Sequence, residues 1–511
     1  MKLRENAVDS TEKSVADAFS PFSEWASIPW KVLTENVKRL QMRIAKAVRE
    51  GKWRKVKILQ RLLSRSTSAK FLAVRRVVQN NGSKTPGIDN VLWKTDHQKL
   101  EAARSLKGKA YKAKPLRRIY IPKKGDKTKL RPLGIPTLFD RSMQALHKFT
   151  LEPVAESLAD HHSYGFRPLR STADAIEQCF KVLARGCSAQ WILEGDIKSC
   201  FDKISHDWLQ ENIPMDKIIL KKWLKAGYME EGKSYPTEAG TPQGGIASCV
   251  LANMALDGLA RVVEIAALKN QKVHFVRYCD DFIITGASKE ILEQHIKPLV
   301  EAFLKDRGLE LAQEKTKISH INDGFNFLGF NLRKYSGKLL IKPDKQNVKS
   351  ILRSVREVIK SNKSVKTEDI INLLNPKIQG WAQYYKHVVA KETFDLIDHQ
   401  IFQYLHKWVR RRHPNKNAQW CKKRYYRSCN LRNWIFSTSI KDKQGQKQTL
   451  DLYMMASTPI KRHIKIRAEA HPYDPKYKEY TWLRKAKQIV NRANGKSKEL
   501  ADLILRELRD L

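Results

Sequence analysis

The stretch Phe275-Val276-Arg277-Tyr278-Cys279-Asp280-Asp281-Phe282-Ile283-Ile284 decides the fold. Residues 273–278 and 282–285 have the β-branched and aromatic content of strands, and the residues between them read as a hairpin turn. An Asp-Asp pair alone carries little weight, since about one is expected by chance in a chain this long. Its place carries more. Two carboxylates at the tip of an apolar hairpin repel each other and lose hydration, a cost that divalent cations remove. A third, Asp196, ends another predicted strand over 190–197 and is followed by Ile197-Lys198-Ser199-Cys200-Phe201-Asp202. Carboxylates converging from two strands suit two Mg2+ ions about 3.5–4 Å apart. One ion would acidify an attacking hydroxyl and the other would neutralise a leaving pyrophosphate, as phosphoryl transfer demands. For the pair taken alone, a solvated turn is the ordinary alternative.

Outward from the hairpin, residues 115–137 alternate as strands, with Ile119, Ile121 and Ile135 among basic residues. Helical periodicity fills about 139–158, 171–186 and 249–268. Strands interleaved with helices around a hairpin predict an α+β sheet covered on one face. Before it, residues 30–76 show a helical stripe of Val37, Leu40, Ile44 and Val48. Glu50-Gly51-Lys52 breaks it, and Val56, Leu59, Leu62 and Leu63 resume it. Residues 1–28 are polar. After about 335 strands become sparse and helices such as 345–362 and 392–411 dominate.

The chain has 511 residues, which suggests several domains, and 41% hydrophobic residues, enough to bury real cores. Its 97 Lys plus Arg against 53 Asp plus Glu give a net charge of +44. A metabolite enzyme gains nothing from that self-repulsion, whereas a polyanion partner offsets it by counterion release. No apolar run approaches the ~20 residues of a membrane span. The acidic N-terminus does not read as a signal or transit peptide. Seven scattered cysteines without a paired spacing point away from disulfides and zinc, toward a reducing cytoplasm. Near the other end, Arg410, Arg411, Arg412, Lys422, Lys423 and Arg424 interleave with Trp408, Trp420, Tyr425, Tyr426 and Trp434. Such cations track phosphates and such rings stack on unpaired bases, although core packing accounts for some of the rings.

The ordered set of segments resembles the reverse transcriptases encoded by bacterial group II introns. It comprises Arg118-Ile119-Tyr120-Ile121-Pro122-Lys123-Lys124, Arg131-Pro132-Leu133-Gly134-Ile135-Pro136-Thr137 and Ser163-Tyr164-Gly165-Phe166-Arg167-Pro168. Asp196 with Phe201-Asp202, Thr241-Pro242-Gln243-Gly244-Gly245 and Tyr278-Cys279-Asp280-Asp281 follow. Leu309-Glu310-Leu311, Glu314-Lys315-Thr316-Lys317, Phe327-Leu328-Gly329-Phe330 and Gly380-Trp381-Ala382-Gln383-Tyr384-Tyr385 complete the order. The similarity covers about residues 30 to 470. Two positions depart from it: Cys279 stands where the family usually has Ala, and Cys249 follows Ser248 where it usually has Pro.

The resemblance implies a right-hand polymerase: fingers and a palm with a ferredoxin-like antiparallel sheet, an α-helical thumb, and a basic C-terminal domain. The expected boundaries are a polar segment to 28, a helical extension 29–100, fingers and palm 101–335, thumb 336–405, basic domain 406–480 and helical tail 481–511. It implies two Mg2+ ions, with Mn2+ as a substitute, on Asp196, Asp280, Asp281 and the Ile197 carbonyl. Lys123 and Arg131 would meet the triphosphate of an incoming dNTP, beside Ile197 and Gln243. Phe201 would exclude a 2′-hydroxyl. Tyr278, Gly244 and Arg167 would contact primer or template. The expected partners are an RNA template, a DNA primer, dNTPs and group II intron RNA, with no membrane, in a bacterial cytoplasm at the nucleoid. Oligomeric state is open between monomer and homodimer. No cysteine pairs or histidine cluster follow His471-Pro472-Tyr473-Asp474-Pro475, so the nuclease that many relatives carry is not expected. A free-standing enzyme of DNA repair or phage defence, and a non-enzymatic splicing cofactor, are the competing readings; retention of Asp196, Asp280 and Asp281 weighs against the last.

Overall fold

Three helices, Trp30–Arg49, Trp53–Arg65 and Thr67–Val78, come first among the described residues of a computed structural model, which are 24–108, 111–123, 126–429, 432–441 and 445–492. The expected polar segment 1–28 falls mostly outside these residues. In the first helix Val37, Ile44 and Val48 are buried as their spacing requires. In the second, burial falls on Val56, Leu59, Gln60 and Leu63, one i, i+3, i+4, i+7 face. Leu62, expected inside, lies off that face and is exposed. Gln60 tolerates the interior because its amide donates to the carbonyls of Thr150 and Pro214. All three helices pack on the buried helix Leu138–Leu158.

Leu116–Lys123 and Asp126–Ile135 pair antiparallel from Arg117↔Ile135 onward. Tyr228–Glu230 and Lys233–Tyr235 extend them to a four-stranded sheet. The second sheet is the one expected as palm. Its antiparallel order is His274–Tyr278, Asp281–Gly286, Trp191–Gly195, Lys317–His320. The expectation of one covered face is wrong. Leu193, Phe275, Phe282 and Ile284 face one core, while Ile192, Val276 and Ile283 face another. Two buried faces explain why Phe282-Ile283-Ile284 is continuously apolar rather than alternating.

The helices Lys345–Ser361, Thr367–Tyr385 and Lys391–Arg412 form the region expected as thumb. Four expected boundaries cut through elements, the one at 100 falling inside the helix Asp96–Ser105. The one at 335 splits the hairpin Phe330–Tyr335/Lys338–Pro343, whose turn has Ser336 at φ 47 and Gly337 at φ 79. Positive φ at both centres is the tight turn that matches strand twist. The boundary at 405 splits the helix Lys391–Arg412, which buries Leu405, Trp408 and Val409 together. The supposedly helix-dominated end also contains a three-stranded sheet, Tyr426–Cys429, Arg432–Lys441 and Lys447–Asp451. A last helix, Lys478–Arg492, crosses the expected boundary at 480, and the charged helix expected over 496–511 lies outside the described residues.

Beyond residue 457 the chain turns back. His463 Nε2 lies 2.9 Å from Asp174 Oδ1, and the Ile466 N–H and Arg484 Nη2 donate to the same carboxylate. Asp174 also takes the Ser171 N–H at the start of the helix Thr172–Leu183. Burial opposes its charge, but His463 and Arg484 outweigh burial and hold the carboxyl down at about 2. Tyr473 donates to Glu152, and Arg49 pairs with Asp474. Among the described residues no helix is long and apolar enough to cross a membrane.

Candidate active site

The palm sheet brings the three carboxylates to one edge. Gly195 faces Phe282 and Tyr278 faces Asp281, so Asp196 and Asp281 follow as neighbours across adjacent strands, with Asp280 in the turn. Adjacent strands are about 4.8 Å apart. The turn is two residues long, and Cys279 takes φ 60. Gly165 packs so closely that a Cβ there would lie 2.2 Å from the Cys279 sulfur. Crowding of water from the cleft pushes Asp281 up to about 6, with repulsion from Asp280 and Asp196 added. Asp280 shifts the same way, first from burial and then from Asp196, while Arg131 and Lys315 oppose the shift. Asp281 remains exposed along the cleft, where an ion has access.

Two observations test whether a divalent cation fits. The Lys315 ammonium lies on Asp196 Oδ2, so a cation already answers the cluster. Around Ile197, the ladder bonds are Lys198 N–H to Glu310 O and Ala312 N–H to Asp196 O. That pattern turns the Ile197 carbonyl away from Leu311, toward the hairpin side of its strand. Among the described residues no three Asp, Glu, His or Cys side chains close into a cage. An open arrangement suits Mg2+, which keeps waters and takes substrate phosphates alongside one or two carboxylates.

The hairpin is held from beneath by a residue not singled out in the sequence. Arg277 is wholly buried, pairs with Asp257 at 2.5 Å, and donates to Asn253 Oδ1 and the Cys279 carbonyl, each at 3.3 Å. Asn253 in turn donates to the Gly165 carbonyl at 2.8 Å. A charged residue inside an apolar strand was the available signal. Asp257, whose side chain keeps 11% exposure, is pushed up to about 6 by burial, against the pull of Arg277.

Next to the carboxylates, Phe201, Asp202, Gln243, Gly134 and Arg118 line a cavity of about 320 Å³. The loop holding Gln243 is sewn to its neighbours: Thr241 N–H donates to Phe201 O, and Gly134 N–H to Gln243 O at 2.8 Å. The Gln243 amide reaches Asp202 at 3.1 Å. Gly244 has φ 121, and a Cβ there would stand 2.7 Å from Gly134 O. The half-buried Phe201 ring meets Phe166 edge to face at 6.0 Å. Arg131 is exposed opposite Ile121 on the adjoining sheet, within electrostatic reach of Asp280. Lys123 ends that sheet's first strand, and its side chain lies outside the described ones.

Tyr278 lies within electrostatic reach of Tyr384. The hydroxyls of Tyr384 and Tyr385 donate to the carbonyls of Leu328 and Gly329 in the turn Phe327–Phe330. Arg167 departs from its expected role. Its guanidinium is buried, paired with Glu156 at 3.0 Å, and donates to the carbonyls of Asp160 and Ser163. These bonds fix the loop beneath Gly165, and such a side chain does not reach a template. In the basic region, Arg410, Arg411, Lys423 and Arg424 are exposed. Arg412 instead donates to the Val365 carbonyl and lies over Trp408, and Lys422 stands 4.9 Å from the Trp434 ring centre. Trp408, Tyr425 and Tyr426 are core residues, which leaves Trp420 and Trp434 as the accessible rings.

Known proteins match in the same places. Residues 121–332 match the family of reverse transcriptases (RNA-dependent DNA polymerases), 25–106 the N-terminal domain of reverse transcriptase, and 348–426 the group II intron maturase-specific domain. The group II intron-encoded protein LtrA of Lactococcus lactis subsp. cremoris is 29% identical over 412 residues, covering 62% of this chain and 68% of that one. Protein YkfC of Escherichia coli is 34% identical over 323 residues, covering 54% of this chain and 83% of that one. A telomerase structure from Candida albicans overlaps 58% of this chain and 59% of that one with a TM-score of 0.35 at 13% identity, too slight a likeness to weigh. With polymerase, N-terminal and maturase segments matched in order around the converging carboxylates, the chain belongs to the family of group II intron-encoded reverse transcriptases and maturases.

Proposed function

We propose that the chain is an RNA-directed DNA polymerase that adds dNTPs to a primer 3′-hydroxyl and that also binds group II intron RNA, assisting its splicing and mobility. The observation that carries the reading is the convergence of Asp196, Asp280 and Asp281 beside Arg131 and Phe201. Asp196, Asp280, Asp281 and the Ile197 carbonyl would hold two Mg2+ ions, with Mn2+ able to replace them. Once bound, such ions lower the pKa of an attacking hydroxyl and neutralise pyrophosphate as it leaves. The protein's own groups do the positioning. Arg131 presents a fork of donors to phosphate oxygens, with Lys123 as a second cation on the same hairpin. Phe201 underlies the sugar, where a ring excludes a 2′-hydroxyl, and Gln243 borders the same cavity, with Gly244 next to it in the loop. Tyr278 and the turn at Leu328-Gly329 support the primer end. Arg167 serves as a positioning residue for the loop under the hairpin. The exposed cations Arg410, Arg411, Lys423 and Arg424 bind RNA, and the chain works in the cytoplasm at the nucleoid.

The test is primer extension by purified protein on an RNA template with Mg2+ and dNTPs, set beside Asp280→Ala. Extension that disappears in the variant, with RNA binding kept, is the expected result. A variant that still polymerises would refute the assignment of the carboxylates.

A further inference from the structure

Between the helix Lys391–Arg412 and the strand Arg432–Lys441 lies a cavity of about 360 Å³ that the polymerase centre does not use. Its wall is aromatic. Phe402, Tyr426, Trp434 and Tyr453 line it. Phe402 meets Tyr426 at 5.8 Å and Trp434 at 6.1 Å between ring centres, and Tyr426 meets Trp434 at 5.4 Å. Asp395 and His399 add polar groups from the helix. Asp398 also borders the cavity, but its oxygens take the N–H groups of Met455 and Ala456 and shape the wall.

The strand opposite is distorted here. Arg427 pairs with Ile435 and Cys429 with Arg432, so Asn433 and Trp434 together oppose the single residue Ser428. This is a β-bulge, a device that re-aims side chains. Trp434 takes φ 67, a backbone region that bulky residues avoid. Strain of this kind persists where its surroundings over-determine it, commonly at ligand sites. The bulge sets both Asn433 and Trp434 on the cavity wall. Two cations stand beside wall residues at the rim, outside the lining itself, whose own charged groups are Asp395 and Asp398. Lys422 Nζ stands 4.9 Å from the Trp434 ring centre, and the Arg432 guanidinium lies 3.9 Å from the sulfur of Met454, another wall residue.

We infer that this cavity takes one unstacked base of a single-stranded nucleic acid, packed against the edge-to-face pair of Trp434 and Phe402, with Lys422 and Arg432 on the flanking phosphates. Rings alone would suit any flat apolar ligand. Cations at the rim, on a chain of net charge +44, select a base that arrives attached to phosphates. A volume of this order matches a pocket for one small ring system with a few polar contacts.

The inference rests on the proposed binding of RNA, and one titration separates the two. Full-length protein is added to an RNA hairpin with 2-aminopurine in its unpaired loop, and to DNA of the same sequence, with affinity and fluorescence both recorded. Wild type is expected to bind and to quench the fluorophore, and the two strands show whether the base comes from RNA or DNA. Trp434→Leu should weaken binding about 10- to 100-fold and remove the quenching. Ala456→Phe, which fills the cavity and keeps its rings, should do the same. Unchanged affinity and quenching in Ala456→Phe would overturn the base pocket alone. A wild type that binds no RNA would overturn the wider reading.

Discussion

Arg277→Met removes a guanidinium with no exposed surface and leaves its partner, Asp257, inside the palm. Breaking a buried pair from one side costs about 3–5 kcal/mol, because the remaining charge is uncompensated. Asp257 makes that cost depend on pH. Burial holds its carboxyl at about 6, above the unfolded value, even with Arg277 pulling it down. The stability tied to its proton is complete below the unfolded pKa and is lost as pH rises through the folded one. Without Arg277 the folded value moves higher, and each unit adds about 1.4 kcal/mol to the penalty at pH ~7.5. Near pH ~5 the buried carboxyl carries a proton, and the cost shrinks to the lost bonds to Asn253 and Cys279, about 1–2 kcal/mol. Amide exchange in the strands Trp191–Gly195 and Asp281–Gly286 reads the difference. Protection should fall about 10²- to 10⁴-fold at the higher pH and much less at the lower. Arg277→Met with Asp257→Asn should recover most of it. Equal protection in variant and wild type, or equal loss at both pH values, would refute the reasoning.

Because Asp281 sits at about 6, protons should compete with Mg2+ below that pH. The Mg2+ concentration for half-maximal extension should then rise up to about tenfold per pH unit, and a flat response would remove Asp281 from the site. Phe201→Ala should let ribonucleotides into the product, scored by alkali cleavage of the extended strand; unchanged sugar discrimination would return Phe201 to a packing role. Gly244→Ala must place a Cβ 2.7 Å from Gly134 O at φ 121. We expect extension to fall at least about tenfold through a raised KM for dNTP while RNA affinity stays, and an unaltered KM would show that the loop yields.

The site was legible where chemistry leaves few options. Asp280-Asp281 at the tip of an apolar hairpin and Asp196 at a strand end repel one another in a way a cation would relieve, and pairing does bring them to one edge. What supports them was not legible. Arg277 read as one residue of an apolar run, since Asp257 and Asn253 lie on a separate segment and meet it only in the fold. Arg167 was expected as a contact only because the resemblance implied one; its partner Glu156 belongs to a helix that offers no local sign of the pairing. The strands after 425 were missed for a different reason. Arg432–Lys441 and Lys447–Asp451 are short on buried apolar residues, so the period of two is not written in hydrophobicity. The helix Lys391–Arg412 hid a boundary error because its charge changes along its length while its buried face continues.

The return of residues 463–484 to Asp174 has a consequence for how the chain is made. Asp174 and the helix it begins leave the ribosome about three hundred residues before Arg484, at roughly 5–20 residues per second. For that interval a carboxylate destined for the interior lacks His463 and Arg484, with only the electrostatic reach of Arg170 from its own stretch of chain. The palm helix can form early, but its seating cannot be finished until translation is nearly over. Synthesis and final packing are thereby coupled: a chain cut short by a nonsense codon after the maturase segment keeps all three carboxylates yet leaves Asp174 without its lock.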